Sequence, residues 1–314
     1  MGDLLDAITA PVERVRLGIS SAAAGPFQHV DYPLANSFDY MGDPGLHGPG
    51  SVSWRVIGDV ATFVGGIRGL MIQAAHPEVV AGVGDHSRYR EDPLGRLSRT
   101  SAYVTATSFG AMPEVHSAVD VVRRIHRRVS GVSERGVAYD ASDPGFSAWV
   151  HNALTESFLV CNQVYGREKL TKDEADRFVL EQTSVGALLD SDPMPTKADE
   201  LTAWITEHPD VAPSQAMRDA IEFLSDPPLS PSIKPAYRIL QAAAVATIPI
   251  RIRRTLGVTA TPGAIPVGRA AVGALRWAMG SSPSWRVGLV RTGAPEPEGL
   301  FKQPLPIGPV PAQK

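Results

Sequence analysis

From Ser53 onward the apolar residues fall into step with a helix. Trp54, Ile57, Val60, Ala61 and Val64 recur at three- and four-residue intervals, the spacing that buries one helical face. Gly65 and Gly66 lie inside this run. Each costs about 1 kcal/mol in helix propensity, and their missing side chains admit either a flat ligand or a second helix against the backbone. The pattern predicts a helix over 96–109, opened by Asp92-Pro93 and closed by Gly110. Another spans 113–130, with Val115, Val119, Val122, His126 and Val129 on one face and Gly131 at its end. Residues 143–165 begin with Asp143 as N-cap and Pro144 in the first turn, and carry the stripe His151, Leu154, Phe158, Cys161, Tyr165. Thr171 with Glu174 forms a capping box that opens a helix through Leu188. Shorter helices are predicted near 197–207, 213–225, 233–257 and 267–278.

The two ends differ. Residues 1–50 begin with a short helical piece, LLDAITAPVERVRLG, and then dissolve into Gly, Pro, Asp and Asn; from 293 to 314 the chain is rich in Pro and Gly. No internal repeat and no alternation of strand and helix patterns interrupts the series. The expected fold is all-α, a single helical domain over 51–292 with an extended N-terminal arm (1–50) and an extended C-terminal tail (293–314).

Composition narrows the function classes. A net charge of −3 lacks the basic surplus of nucleic-acid binders. The single cysteine, Cys161, excludes an internal disulfide and a cysteine-cluster metal site. The first residues carry acids where a secretory segment is basic and then apolar, so a cytoplasmic location is expected. No apolar run approaches the length of a spanning helix. The segment AAAVATIPI (242–250), with Pro249 and the basic RIRRTLG after it, suits either a buried helix or a membrane-surface contact.

Candidate chemistry concentrates in His76–Thr100, HPEVVAGVGDHSRYREDPLGRLSRT, which combines two histidines with several arginines and acids. His126 and His151 follow on the apolar faces of two successive helices. Each is either a metal ligand or a core histidine with a satisfied N–H; for His151, Asn152 and Thr155 are ready partners. Arg96 and Arg99, on one face with Thr100 and Tyr103, need an anion if they are buried. That anion is a cofactor or substrate oxygen, or else Asp85, Glu91 or Asp92. A non-haem iron site from Asp85, Glu91 and Asp92 with His76 or His86 is a further possibility. HExxH, P-loop and GxSxG motifs are absent, and GVGDHS is not a dinucleotide fingerprint.

Three blocks in order resemble the DUF2236 family: the His76–Thr100 segment, VRRIHRRVSG, and YDASDPGFSAWVHNALTESFL. The family includes the rubber oxygenase (latex-clearing protein) catalytic domain and the endoplasmic-reticulum-bound oxygenase of mycophenolic acid biosynthesis. The resemblance covers about residues 50–250. It implies a globin-like helical core that binds haem b and performs oxygen chemistry on apolar, isoprenoid-like chains. On this reading His126 ligates the iron, and His151 matches a second family histidine. Arg96, Arg99 and Thr100 match an Arg-x-x-Lys-Thr motif on the distal side. Arg99 stands where the family has lysine, and a guanidinium offers no lone pair to iron. The sixth position is then open, water-filled or taken by a residue such as His86. The family's catalytic glutamate corresponds to Glu78 or Asp85. The reading is a haem b oxygenase acting on a small-to-medium apolar molecule with dioxygen. Its rival is a non-catalytic helical protein that binds an apolar ligand, with core histidines.

Overall fold

The computed structural model describes residues 2–87 and 89–308, with side chains from residue 11 onward. The described residues form fourteen α-helices, two short 3-10 turns and one two-stranded hairpin; the fold is all-α. Helix α1 (Gly2–Ala24) and the 3-10 turns Gly25–Phe27 and Ser37–Tyr40 precede α2 (Val52–Ile57), α3 (Thr62–Gln73) and α4 (Pro77–His86). Then come α5 (Pro93–Phe109), α6 (Met112–His126), β1 (Ser130–Val132) and β2 (Ala138–Asp140). Helices α7 (Pro144–Tyr165), α8 (Lys172–Ala187), α9 (Ala198–Glu207) and α10 (Gln215–Ser225) follow. The last four are α11 (Lys234–Thr247), α12 (Ile250–Leu256), α13 (Ala264–Met279) and α14 (Pro283–Thr292).

The centre of the molecule is the pair α3–α7, flanked by α11 on one side and by α8 and α9 on the other. Small residues make the pairing close. A Cβ on Gly65 would lie 2.7 Å from Phe158 Cδ1, and one on Gly69 would lie 2.9 Å from Leu154 Cδ1. The approach that the glycines permit is therefore used by a helix, and Gly66 faces open space. Across this interface Arg68 pairs with Glu156, both about 1% exposed. Arg68 also donates to Ser157 Oγ at 2.8 Å and to the Thr247 carbonyl of α11 at 3.2 Å. Cys161 lies buried nearby, and burial pushes its thiol up to about 12, far from a reactive thiolate.

Several predicted boundaries move. The helix expected from Ser53 through the glycines breaks between α2 and α3: Asp59 accepts the Ala61 N–H at 2.8 Å and pairs with Arg276 of α13 at 2.7 Å, fixing a turn. The segment 113–130 stops being helical at His126, and Ser130 enters a strand paired antiparallel with Asp140. The stretch 233–257 is two helices, because Pro249 cannot continue α11. The opening helix runs through Ala24, across Pro11, and α1 packs on α13 with Arg16 stacked 4.7 Å over the Trp277 ring. Residues 293–308 carry no helix or strand, and the rest of the tail lies outside the described residues.

Arg291 of α14 joins distant parts of the chain. Its fully buried guanidinium donates to the Asp43 carbonyl (2.8 Å), Ser37 Oγ (2.7 Å) and the Phe109 carbonyl (2.7 Å).

Candidate functional site

The short turn Gly110–Ala111 folds α6 back against α5. Asp92 caps α5 by accepting the Gly95 N–H at 3.0 Å, and Glu114 of α6 accepts the Ala111 N–H at 2.9 Å. Arg96, Arg99 and Thr100 lie in the first two turns of α5, and His126 ends α6. His126 is half-buried; burial lowers its pKa, against the opposing influence of the Ala141 backbone and Asp140. It is thus a neutral imidazole with a lone pair at neutral pH. Arg96, also half-buried, is lowered to about 10 by burial and by the like charge of Arg99, and no carboxylate pairs with it among the described residues. Arg99 is half-exposed and bonds Asp92 at 3.1 Å. Thr100 is exposed and donates back to the Arg96 carbonyl at 3.2 Å. One turn on, Tyr103 has a buried hydroxyl without a hydrogen-bond partner, and burial raises its pKa.

His151 has a different setting. Its Nε2 lies 2.9 Å from the Gln182 carbonyl of α8 and 3.3 Å from Thr155 Oγ1, and burial pulls its pKa down to about 4. That is the hydrogen bonding of a core histidine, with Thr155 in the role its spacing suggested.

The non-haem set drawn from Asp85, Glu91 and Asp92 with His76 or His86 is not assembled. Asp85 accepts from Tyr139 Oη at 2.5 Å, Asp92 caps α5, and His86 Nε2 lies 3.1 Å from the Ser130 carbonyl. The local chain places these groups on diverging turns. His76 instead meets His208 and Asp210, the only trio of potential ligands that converges among the described residues.

This second cluster gathers four segments. His76 caps α4 and is 3% exposed; Glu78, two residues on, is 1% exposed. The β1–β2 turn reaches over Glu78, with Ser133 Oγ donating to Oε1 at 2.8 Å and Arg135 donating to Oε1 at 3.0 Å and Oε2 at 2.5 Å. Burial alone would raise the Glu78 carboxyl, but these hydrogen bonds prevail and hold it below its ordinary range. The His76 ring packs on Phe146 (5.4 Å between centroids), Trp149 (5.6 Å) and His208 (5.6 Å). His76 Nδ1 is 3.4 Å from Glu78 Oε2, and its Nε2 is 3.9 Å from Asp210 Oδ2. His208 Nδ1 is 4.0 Å from that same oxygen. Burial lowers His76 to about 4 despite the nearby Glu78 and Asp210 charges, and lowers His208 as well. A cavity of about 390 Å³ opens here, lined by His76, Glu78, Arg135, Val137, Phe146 and Asp210.

Sequence reasoning found His76 and Glu78 but missed His208, Asp210 and Arg135. One local signal was available: both histidines precede proline, as His76-Pro77 and His208-Pro209. Proline drives the preceding residue into extended backbone, and the two histidines have ψ of 112° and 128°. Each ring is thereby set on a bend at a helix end.

Residues 54–277 match the model of the family described as ER-bound oxygenase mpaB/B'/rubber oxygenase, catalytic domain. No curated protein and no solved structure matches the chain. The match covers more than half of the chain, which therefore belongs to this oxygenase family. Membership supports an oxygenase-type activity. Among the described residues no helix is long and apolar enough to cross a membrane.

Proposed function

We propose that the chain is a haem b-dependent oxygenase that uses dioxygen on a small-to-medium apolar, isoprenoid-like substrate. The observation that carries this reading is the unmatched charge at the open end of the α5–α6 hairpin. Arg96 has no carboxylate partner among the described residues and feels the like charge of Arg99, while the Tyr103 hydroxyl is buried without a partner and His126 is neutral. A half-buried pair of like charges is relieved by an anion, and a buried hydroxyl needs a partner. A group carrying two carboxylates and a metal that takes imidazole fits this donor set.

His126 would hold the iron, and Arg96 and Arg99 would hold the propionates through charge-assisted hydrogen bonds. For Arg99 this means exchanging Asp92 for a stronger partner, which a half-exposed surface pair permits at little cost. Haem supplies the activation of oxygen when bound. The chain's own residues bind and orient: Thr100 stands on the same helix as a hydrogen-bond donor, and the arginines fix the anionic edge. His151 supports the cofactor from α7 through its bond to α8. The substrate class rests on the family resemblance. The division into arm 1–50, body 51–292 and tail 293–314 and the cytoplasmic location belong to the same proposal. So does a membrane-surface contact through α12, where Ile250 is 58% exposed beside basic residues.

A second reading, a non-catalytic binding protein, is favoured by one observation, the hydrogen bonding of His151 Nε2 to the Gln182 carbonyl and Thr155. Pyridine haemochrome analysis of protein expressed with haem supplementation decides between them. Near-stoichiometric haem is expected, and its absence would leave the binding-protein reading.

A further inference from the structure

The geometry points to a second centre: a mononuclear site for a divalent first-row transition ion, ferrous iron or zinc, held by His76 Nε2, His208 Nδ1 and Asp210 Oδ2. It is separate from the haem proposed at His126 and does not depend on it.

The ligand atoms lie within 4.8 Å of one another, with 3.9 Å and 4.0 Å separating the two imidazole nitrogens from Asp210 Oδ2. Metal–ligand bonds of about 2.0–2.1 Å in a tetrahedral site put ligands about 3.3 Å apart. Asp210 Oδ2 stands about 0.6–0.7 Å farther than that from each of the two nitrogens, a shift within reach of a side-chain torsion. Asp210 can supply it, because its side chain is 53% exposed. The imidazoles are held by packing, and a bound ion would take over the lone pair of His208 Nδ1, which accepts the Asp210 N–H at 3.4 Å. His76 is locked among Phe146, Trp149 and His208, and His208 packs 4.6 Å from Trp204. Arg251 donates to the carbonyls of Thr206 and His208, which pins the turn that carries His208.

An independent observation comes from the other side of the His76 ring. Its Nδ1 is buried and makes no hydrogen bond, though Glu78 Oε2 is only 3.4 Å away. An imidazole set between two carboxylates and bonded to neither is an unexplained buried polar group. Ligation through Nε2 accounts for it. The proton then resides on Nδ1 and faces a carboxylate already held by Ser133 and Arg135. This is the carboxylate–histidine–metal arrangement that fixes tautomer and ring orientation in many metal sites. Arg135 on the cavity wall is tied to Glu78, so its charge is already matched.

Two histidines and one carboxylate leave coordination positions free, as in sites that bind a reactant rather than in closed structural sites. Here the free side faces the cavity of about 390 Å³, large enough for water or a small oxygen-donor ligand.

Cobalt(II) titration of the untagged full-length protein, after chelation and desalting, tests the proposal through d–d absorption. One equivalent is expected, displaced by zinc. Asp210→Asn, at an exposed position, and His208→Ala should each abolish the absorption while far-ultraviolet circular dichroism stays native. Glu78→Gln should weaken binding by about 10–100-fold. His126→Ala should leave the cobalt equivalence unchanged, so haem loss and metal loss separate. No cobalt binding by the wild type overturns the site, as do Asp210→Asn and His208→Ala variants that bind like the wild type, or loss of cobalt in His126→Ala.

Discussion

The two clusters of histidine and charge are built in opposite ways. Around His76 the residues come from α4, the β1–β2 turn, α7 and the end of α9; the rings pack on one another and Glu78 is held by Ser133 and Arg135 from another element. At the α5–α6 hairpin the residues come from one contiguous stretch, Asp92 to His126, and apart from the Ala141 backbone and Asp140 beside His126 their interactions are local. In the first arrangement the imidazoles and Glu78 are held by packing and hydrogen bonds. In the second, Arg96 lies beside the like charge of Arg99 without a carboxylate of its own among the described residues. Preorganisation of ligands by surrounding structure favours a small ion, whereas an open end with unpaired guanidinium suits a large anionic cofactor.

That contrast is breakable. The largest effect is expected from His126→Ala, which should remove essentially all haem, while His151→Ala retains a weakened fraction; haemochrome stoichiometry of both variants reads this directly. If His151→Ala alone lost haem, the hairpin would not be the cofactor's anchor.

Acid sensitivity should come next. His76 and His151 have native pKa values lowered from 6.5 to about 4, so the unfolded chain binds more protons than the native one between those values. Stability should therefore fall as pH drops from 6.5 to 4, by on the order of 3 kcal/mol for each histidine. Urea unfolding across that window measures the slope, and His151→Gln should flatten part of it. A pH-independent midpoint would show that neither ring is held neutral.

Glu78→Gln should destabilise by about 1–3 kcal/mol, because Arg135 and Ser133 lose a shared charged acceptor in a buried place. The same variant should lose one component of acid denaturation. The Glu78 carboxylate is held below its ordinary value of 4.5, so its contribution is present above that value and disappears as pH falls through the native pKa. Thermal unfolding at neutral and acid pH tests both statements.

The smallest effect belongs to Asp92→Ala, about 1 kcal/mol from the lost cap of α5, since its surface pair with Arg99 adds little. Equal losses for Glu78 and Asp92 would erase the distinction between the buried and the exposed cluster.

What the sequence disclosed follows the same division. Asp143-Pro144 and the Thr171–Glu174 box announced α7 and α8 to within a residue or two, because capping is local chemistry. The hairpin stayed hidden: its strands are three residues each, too short for an alternating pattern, and Val129 continued the helical stripe past His126. Arg68 finds its partner Glu156 88 positions away, a distance over which no local spacing pairs two charges. His208 and Asp210 lay beyond reach for the same reason, although the repeated His-Pro pair marked both bends. Spacing reveals what one helix or one cap decides. Contacts between remote segments leave no comparable trace.

The Arg291 clamp sets an order of events during synthesis. Its partners Asp43 and Ser37 precede it by 248 and 254 positions. At elongation rates of about 5–20 residues per second, the segment around residues 37–43 waits roughly 12–50 s for its arginine. The Phe109 carbonyl of α5, 182 positions before Arg291, waits a shorter time for the same guanidinium. Helix α14 thus fastens the segment around residues 37–43, and a nascent chain stalled before α14 would carry that segment unfastened.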